Sequence, residues 1–238
     1  FQALPSLPAE RHHPMMTALD GALWLTGGSP PRGVGTNTFW RWAPGDPGWV
    51  AMPDVPASVS GGASVAANGR IFVVGGAESG QSWLQEYHAD RGSWRQLPYN
   101  VSPFSRPDHT QAVLFEGEIW QLGGRGEAET NRVFIFNPVT QEWRDGPPML
   151  EARSGHAARV VDGQIMVAGG EIIFTGQRVV QSFEVFAPGA QAWVPGPPMP
   201  KAVHGAPGAA TAGRFVLLGG GEVAGSGNGS NHVQVYIP

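Results

Sequence analysis

Residues 153–170 read RSGHAARVVDGQIMVAGG, and a phenylalanine at Phe186 is followed seven residues later by Trp193. Two short apolar runs flank Asp162-Gly163. That pair favours the two-residue turn of an antiparallel hairpin, because both central residues need positive φ. The second run closes on Gly169-Gly170. The same arrangement occurs five times, with the paired glycines beginning at Gly27, Gly75, Gly123, Gly169 and Gly219, in steps of 48, 48, 46 and 50 residues. The turn pairs are Asp20-Gly21, Asn68-Gly69, Glu116-Gly117, Asp162-Gly163 and Ala212-Gly213. Downstream aromatics stand at Trp42, Tyr87, Phe136, Phe186 and Tyr236, and the first four repeats add Trp49, Trp94, Trp143 and Trp193.

A period of this length built from short strands and tight turns predicts an all-β propeller. Five repeats give five blades of four antiparallel strands, at about 11–54, 59–99, 106–148, 153–198 and 203–238 plus 1–7, in one domain spanning 1–238. The fifth repeat stops two residues after Tyr236. Phe1 precedes Arg11 by the same ten residues that separate Trp143 from Arg153, so an N-terminal outer strand is expected to complete the C-terminal blade and close the ring. Such closure leaves neither end as an open sheet edge. The paired glycines are expected where backbone crowds near the axis, and each aromatic buries roughly 150–250 Å² between blades.

Gly-Gly after a hairpin turn, an aromatic and then Trp resembles the Kelch repeat, and the resemblance covers the whole chain. It is closest in kind to bacterial Kelch-type propellers, and more distant from sialic-acid epimerase or mutarotase-like and galactose-oxidase-like ones. The resemblance implies a rigid scaffold whose loops carry the function. Galactose-oxidase-like chemistry needs a tyrosine crosslinked to cysteine, and the chain has no cysteine.

Composition narrows the partners. The formal charge is −4, from 15 basic and 19 acidic residues, with Lys201 the single lysine and no long basic run, which argues against nucleic acid. No apolar stretch is long enough for a membrane helix, and residues 1–13 lack the charged and apolar regions of a signal peptide. A soluble chain is expected, in the periplasm or secreted if a leader has been removed; zero cysteines suit either a reducing or an oxidising compartment. Ring closure predicts a monomer. Trp40 and Trp83 are read as exposed, as scattered surface aromatics or as a contact surface.

Function is expected where variable loops meet the links that enter each blade. Counting back fifteen residues from each first glycine gives His12, Ser60, Asp108, Ser154 and His204; the next position holds His13, Gly61, His109, Gly155 and Gly205, and the one after adds His156. Five of the seven histidines thus fall where the innermost strand begins, beside Arg11, Arg106 and Arg153. Three readings are open. These side chains hold loop carbonyls and keep the links packed; or they meet Glu78, Arg125, Glu171 and Glu222 to line a polar pocket; or His13, His109 and His156 bind a divalent metal. No cofactor is expected beyond that metal. In His12-His13-Pro14-Met15-Met16, thioethers beside imidazoles suit copper, although at least one Met is expected in the core.

The leading function is a non-catalytic module holding a protein or glycan ligand. The alternative is a sugar epimerase or mutarotase-like enzyme, with His109, His156, Glu171 and Arg153 as candidate acid–base groups.

Overall fold

The computed structural model describes residues 3–76, 83–99, 107–225 and 228–238, the side chain of Trp83 excepted. Two compact units divide the chain, Phe1–Asp108 and His109–Pro238. No helix occurs among the described residues.

In the first unit, β1 (Met15–Leu19), β2 (Ala22–Thr26), β3 (Phe39–Trp42) and β4 (Val50–Ala51) form blade 1 in sequence order, and β5 (Ala63–Ala67), β6 (Arg70–Val74), β7 (Trp83–His88) and β8 (Ser93–Pro98) form blade 2. In the second unit, blade 3 comprises β9 (Gln111–Phe115), β10 (Glu118–Leu122), β11 (Val133–Asn137) and β12 (Glu142–Gly146). Blade 4 comprises β13 (Ala157–Val161), β14 (Gln164–Ala168), β17 (Phe183–Phe186) and β18 (Val194–Pro195), with a small hairpin of β15 (Glu171–Ile172) and β16 (Arg178–Val179) rising between its second and third strands. Blade 5 has three strands among the described residues, β19 (Gly208–Thr211), β20 (Arg214–Leu218) and β21 (Val233–Tyr236).

The outer strand expected from the N-terminal segment is not a strand among residues 3–7. By its register against Trp143 that strand would occupy residues 1–4. Phe1 and Gln2 lie outside the described residues, and Pro5 offers no N–H to continue a ladder.

All five turn pairs have positive φ at both residues, from 46° to 51° at the non-glycine position and 69° to 80° at the glycine. Glu116 and Ala212 adopt this conformation as well as Asp20, Asn68 and Asp162. The hairpin geometry is therefore imposed by the paired strands even where the sequence preference is weak.

The paired glycines do more than turn the chain. In four repeats the second glycine donates its N–H to the carbonyl of the link entering the next blade: Gly28 to Val59 at 2.9 Å, Gly76 to Pro107 at 3.2 Å, Gly124 to Arg153 at 2.9 Å and Gly170 to Val203 at 2.9 Å. A Cβ on the first glycine would enter the same carbonyl. At Gly123 it would stand 2.8 Å from the Arg153 oxygen, and at Gly27 and Gly169 it would overlap Val59 and Val203. Away from this corner the tryptophans fasten neighbouring segments a second time. The indole of Trp49 donates to the Pro5 carbonyl at 3.2 Å, Trp94 to Pro53 at 2.8 Å and Trp193 to Pro147 at 2.8 Å.

Between these fastenings lie the cores. Val113, Phe115, Trp120 and Leu122 of blade 3 pack on Ala158, Ile165, Val167, Phe186 and Trp193 of blade 4. Ala157, Val161, Met166 and Phe183 of blade 4 pack on Phe215 and Leu217 of blade 5, and in the first unit Trp24 and Phe39 pack on Ile71 and Tyr87. Trp40, expected at the surface, is instead buried, with the Arg11 guanidinium 4.9 Å from its ring centroid. β3 is an inner strand of its sheet, paired with β2 on one side and β4 on the other. Met15 is core and Met16 is exposed.

The glycine corner makes a separable prediction. Gly163→Ala meets only the cost of a left-handed Cβ, about 1–2 kcal/mol, since no atom lies within 4 Å of the added carbon. Gly169→Ala adds a backbone collision and is expected to lose 3 kcal/mol or more in urea unfolding. Equal losses would show that the corner has room.

Candidate functional site

The link that enters each blade carries one residue with positive φ, and these residues hydrogen-bond to one another. In the second unit Gly155 donates its N–H to the His109 carbonyl at 2.9 Å, and Gly205 donates to Gly155 at 2.7 Å. In the first unit Gly61 donates to His13 at 3.1 Å. His13 and His109 occupy this left-handed position at φ 52° and 51°, where the other repeats use glycine. The preceding residue bridges to the residue after the paired glycines: His12 with Ser29, Ser154 with Glu171, His204 with Gly221. Link and loop are thus pinned side by side, which brings together residues far apart in sequence.

Glu171 is the centre of what assembles in the second unit. Its side chain is 3% exposed. One carboxylate oxygen accepts from Arg125 Nη1 at 2.9 Å; the other accepts from the Gly225 N–H at 2.8 Å and faces His204 Nδ1 at 3.3 Å. Arg125 Nη2 stands 3.1 and 3.3 Å from the two ring nitrogens of His109. His204 Nε2 lies 3.1 Å from the Val223 carbonyl. Both nitrogens of His204 therefore face acceptors. A second carboxylate braces the β15–β16 hairpin: Glu129 Oε1 accepts the N–H of Ile173 at 2.8 Å and of Phe174 at 3.4 Å. Loops of three consecutive blades are locked together by these two carboxylates. Phe174 and Val223 stand exposed on them, at 54% and 53%.

Of the residues expected at the site, His109, Arg125, Glu171 and His204 converge. Arg153 does not join them. It is fully buried, donating to Glu184 Oε1 at 2.5 Å, Ser182 Oγ at 2.6 Å, and the carbonyls of Gly169 and Ser182 at 3.0 and 3.1 Å, which makes it a clamp inside blade 4. His156 points into the protein behind the glycine corner, 2% exposed. Burial, and secondarily the Arg153 charge, lower its pKa to about 3. Glu222 turns outward to His232 Nε2 at 2.5 Å. In the first unit, Arg11 donates to the Glu10 carbonyl at 2.8 Å, His12 and His13 are exposed with ring centroids 6.4 Å apart, and Asp108 is half-buried. Glu78 and Arg106 lie outside the described residues.

Among the described residues no three His, Asp or Glu side chains are grouped as metal ligands would be. His156 is enclosed and His109 engages Arg125. Sequence reading missed Glu129, Gly225 and His232, which sit in loops of different length where no register links one repeat to the next.

A β-propeller of five blades is the fold these sheets compose, and comparison supports it. A solved structure described as "Structure of YjhT" matches with a TM-score of 0.81 at 15% identity, covering 99% of this chain and 84% of that one. The Kelch motif matches residues 109–150 and 152–200. These two segments carry the Kelch motif. Kelch repeat and BTB domain-containing protein 12 of Danio rerio is 33% identical over 157 residues, 56% of this chain and 25% of its own length. Kelch-like protein 40 of Xenopus tropicalis is 31% identical over 130 residues, 52% and 21% respectively, and alpha-scruin of Limulus polyphemus is 26% identical over 179 residues, 69% and 19%. The chain spans a quarter or less of the length of these three relatives. No helix among the described residues is long and apolar enough to cross a membrane.

The glycine corner also carries a pH-dependent term. His156 takes a proton in the unfolded chain below its ordinary value of 6.5, but in the folded protein only near 3. Its contribution is present above pH 6.5 and declines as pH falls toward 3, by on the order of 3 kcal/mol at pH 4. Urea midpoints measured from pH 7 to 4 are expected to fall more steeply in the wild type than in His156→Leu or His156→Gln. Parallel slopes would mean that His156 titrates freely.

Proposed function

We propose that this Kelch propeller is a non-catalytic binding module that holds a protein ligand on the loops of blades 3, 4 and 5. Kelch repeats generally serve as protein-interaction modules. The observation that carries the reading is the interlocked loop surface: two carboxylates, Glu171 and Glu129, fix three loops in place, and Phe174 and Val223 stand exposed on those loops. Exposed apolar side chains on loops fixed beforehand lower the ordering cost of binding.

The arrangement suits binding better than proton transfer. Glu171 already accepts from Arg125 and Gly225 and faces the imidazole of His204, while His204 has acceptors at both nitrogens. A general acid or base needs a proton site open to substrate. Arg153 and His156, candidates for acid–base work by their place in the repeat, are both enclosed.

The test uses the wild-type chain and Phe174→Ala as matched baits in cells of the source organism, with a glycan array run on the same wild-type preparation. A protein retained in stoichiometric amount by the wild type and reduced tenfold or more by Phe174→Ala, at unchanged melting temperature, is the expected result. Retention indifferent to Phe174, or a specific glycan without a protein, would overturn the reading.

A further inference from the structure

Among the described residues, the second unit holds one half-buried cation that its own carboxylates leave alone. Arg125 pairs with Glu171, Arg132 with Asp145, Arg144 with Glu118, Arg153 with Glu184 and Arg178 with Glu151, while Lys201 and Arg214 are exposed. Arg159 is half-buried on β13, the innermost strand of blade 4, and among the described residues no carboxylate stands within ion-pairing distance of it. Its hydrogen bond goes from Nη1 to the carbonyl of its own neighbour, Ala158, at 2.6 Å. That bond uses one of five donors in a guanidinium. Burial also pulls its pKa below the usual arginine value, the direction of a charge held out of water without compensation.

Strand alternation shows where this side chain lies. Ala158 and Val160 pack toward blade 3, whereas Ala157 and Val161 pack toward blade 5. Arg159 shares the face of Ala157 and Val161, so it is directed to the blade 5 side. The innermost strand there, β19, reads Gly208-Ala209-Ala210-Thr211, with Ala209 and Ala210 exposed. Short side chains leave room beside the guanidinium and offer no acceptor of their own apart from the Thr211 hydroxyl. The corresponding position in the other repeats is Thr17, Val65, Val113 and Ala209, so the scaffold does not require an arginine there. A half-buried charge that neither the repeat pattern nor a carboxylate explains costs stability unless an anion meets it.

We propose that Arg159 is the anchor of a small-oxyanion site, for a carboxylate or phosphate group, on the inner strand of blade 4 facing blade 5. The planar fork of the guanidinium presents two parallel N–H donors to such a group. The site is separate from the loop surface assigned to the protein ligand, and it stands or falls independently of that assignment.

The experiment is thermal melting and calorimetric titration of the whole chain with inorganic phosphate, then with acetate, against sodium chloride at matched ionic strength. The wild type is expected to melt about 3–6 °C higher at tenfold the dissociation constant, with saturation in the low millimolar range or below. Arg159→Met, which keeps the aliphatic stem and removes the charge, is expected to melt at or above the wild type in chloride and to gain nothing from either anion. Arg159→Gln serves the same purpose should the Met variant fail to fold. A response to phosphate alone, or to acetate as well, distinguishes a phosphate seat from a general oxyanion seat. Equal shifts in wild type and variant, or no saturable shift below about 50 mM, would overturn the proposal.

Discussion

The N–H of the second glycine in four of the five repeats donates across to the carbonyl of the next link, and most of what is specific about this protein follows from the room that bond needs. Both glycines of the pair have positive φ, and a side chain on the first would collide with the accepting carbonyl or its neighbours. Strands that end elsewhere would leave that carbonyl buried without a donor, at a cost of about 1–3 kcal/mol each. The apolar cores between blades can close only after the corner has set their spacing. The indole bonds at Trp49, Trp94 and Trp193 then fix the other side of the same packed layer.

The candidate site is a by-product of that corner. Because the link is held against the glycines, its next residues bridge to the first residue of the outgoing loop, Ser154 to Glu171 and His204 to Gly221. In blades 3 and 4 that loop residue is Arg125 or Glu171, and a single step between neighbouring repeats brings guanidinium and carboxylate to 2.9 Å. Scaffold and site are therefore mechanically one object. Disturbing Glu171 releases Gly225 and Arg125 as well as the surface they support.

Legibility in the sequence tracks periodicity. Gly-Gly pairs, turn pairs and the aromatic-to-Trp spacing recur in register, so they were readable without coordinates, and the five blades follow from them. The convergence of His109, Arg125, Glu171 and His204 was readable for the same reason, each sitting a fixed distance from a Gly-Gly pair. What misled was direction. Arg153, His204 and His156 stand within one or two places of the same register mark, yet the link turns through the positive φ of Gly155 and Gly205, so no simple alternation gives the direction of each side chain. Arg153 and His156 go inward, to Glu184 and to the back of the glycine corner, while His204 faces the loops. Glu222 is one residue out of step with Glu171 and reaches His232 instead. The bracing by Glu129 had no sequence signal, because the loop lengths differ from blade to blade.

The most direct test of the corner as the organising constraint is amide hydrogen exchange resolved at Gly124 and Gly170. If their bonds to Arg153 and Val203 hold the blades together, these two amides exchange only as slowly as those of β10 and β14, through global unfolding. Exchange at the faster rate of the surrounding loops would contradict the account, since the blades would then stay docked while the corner opened.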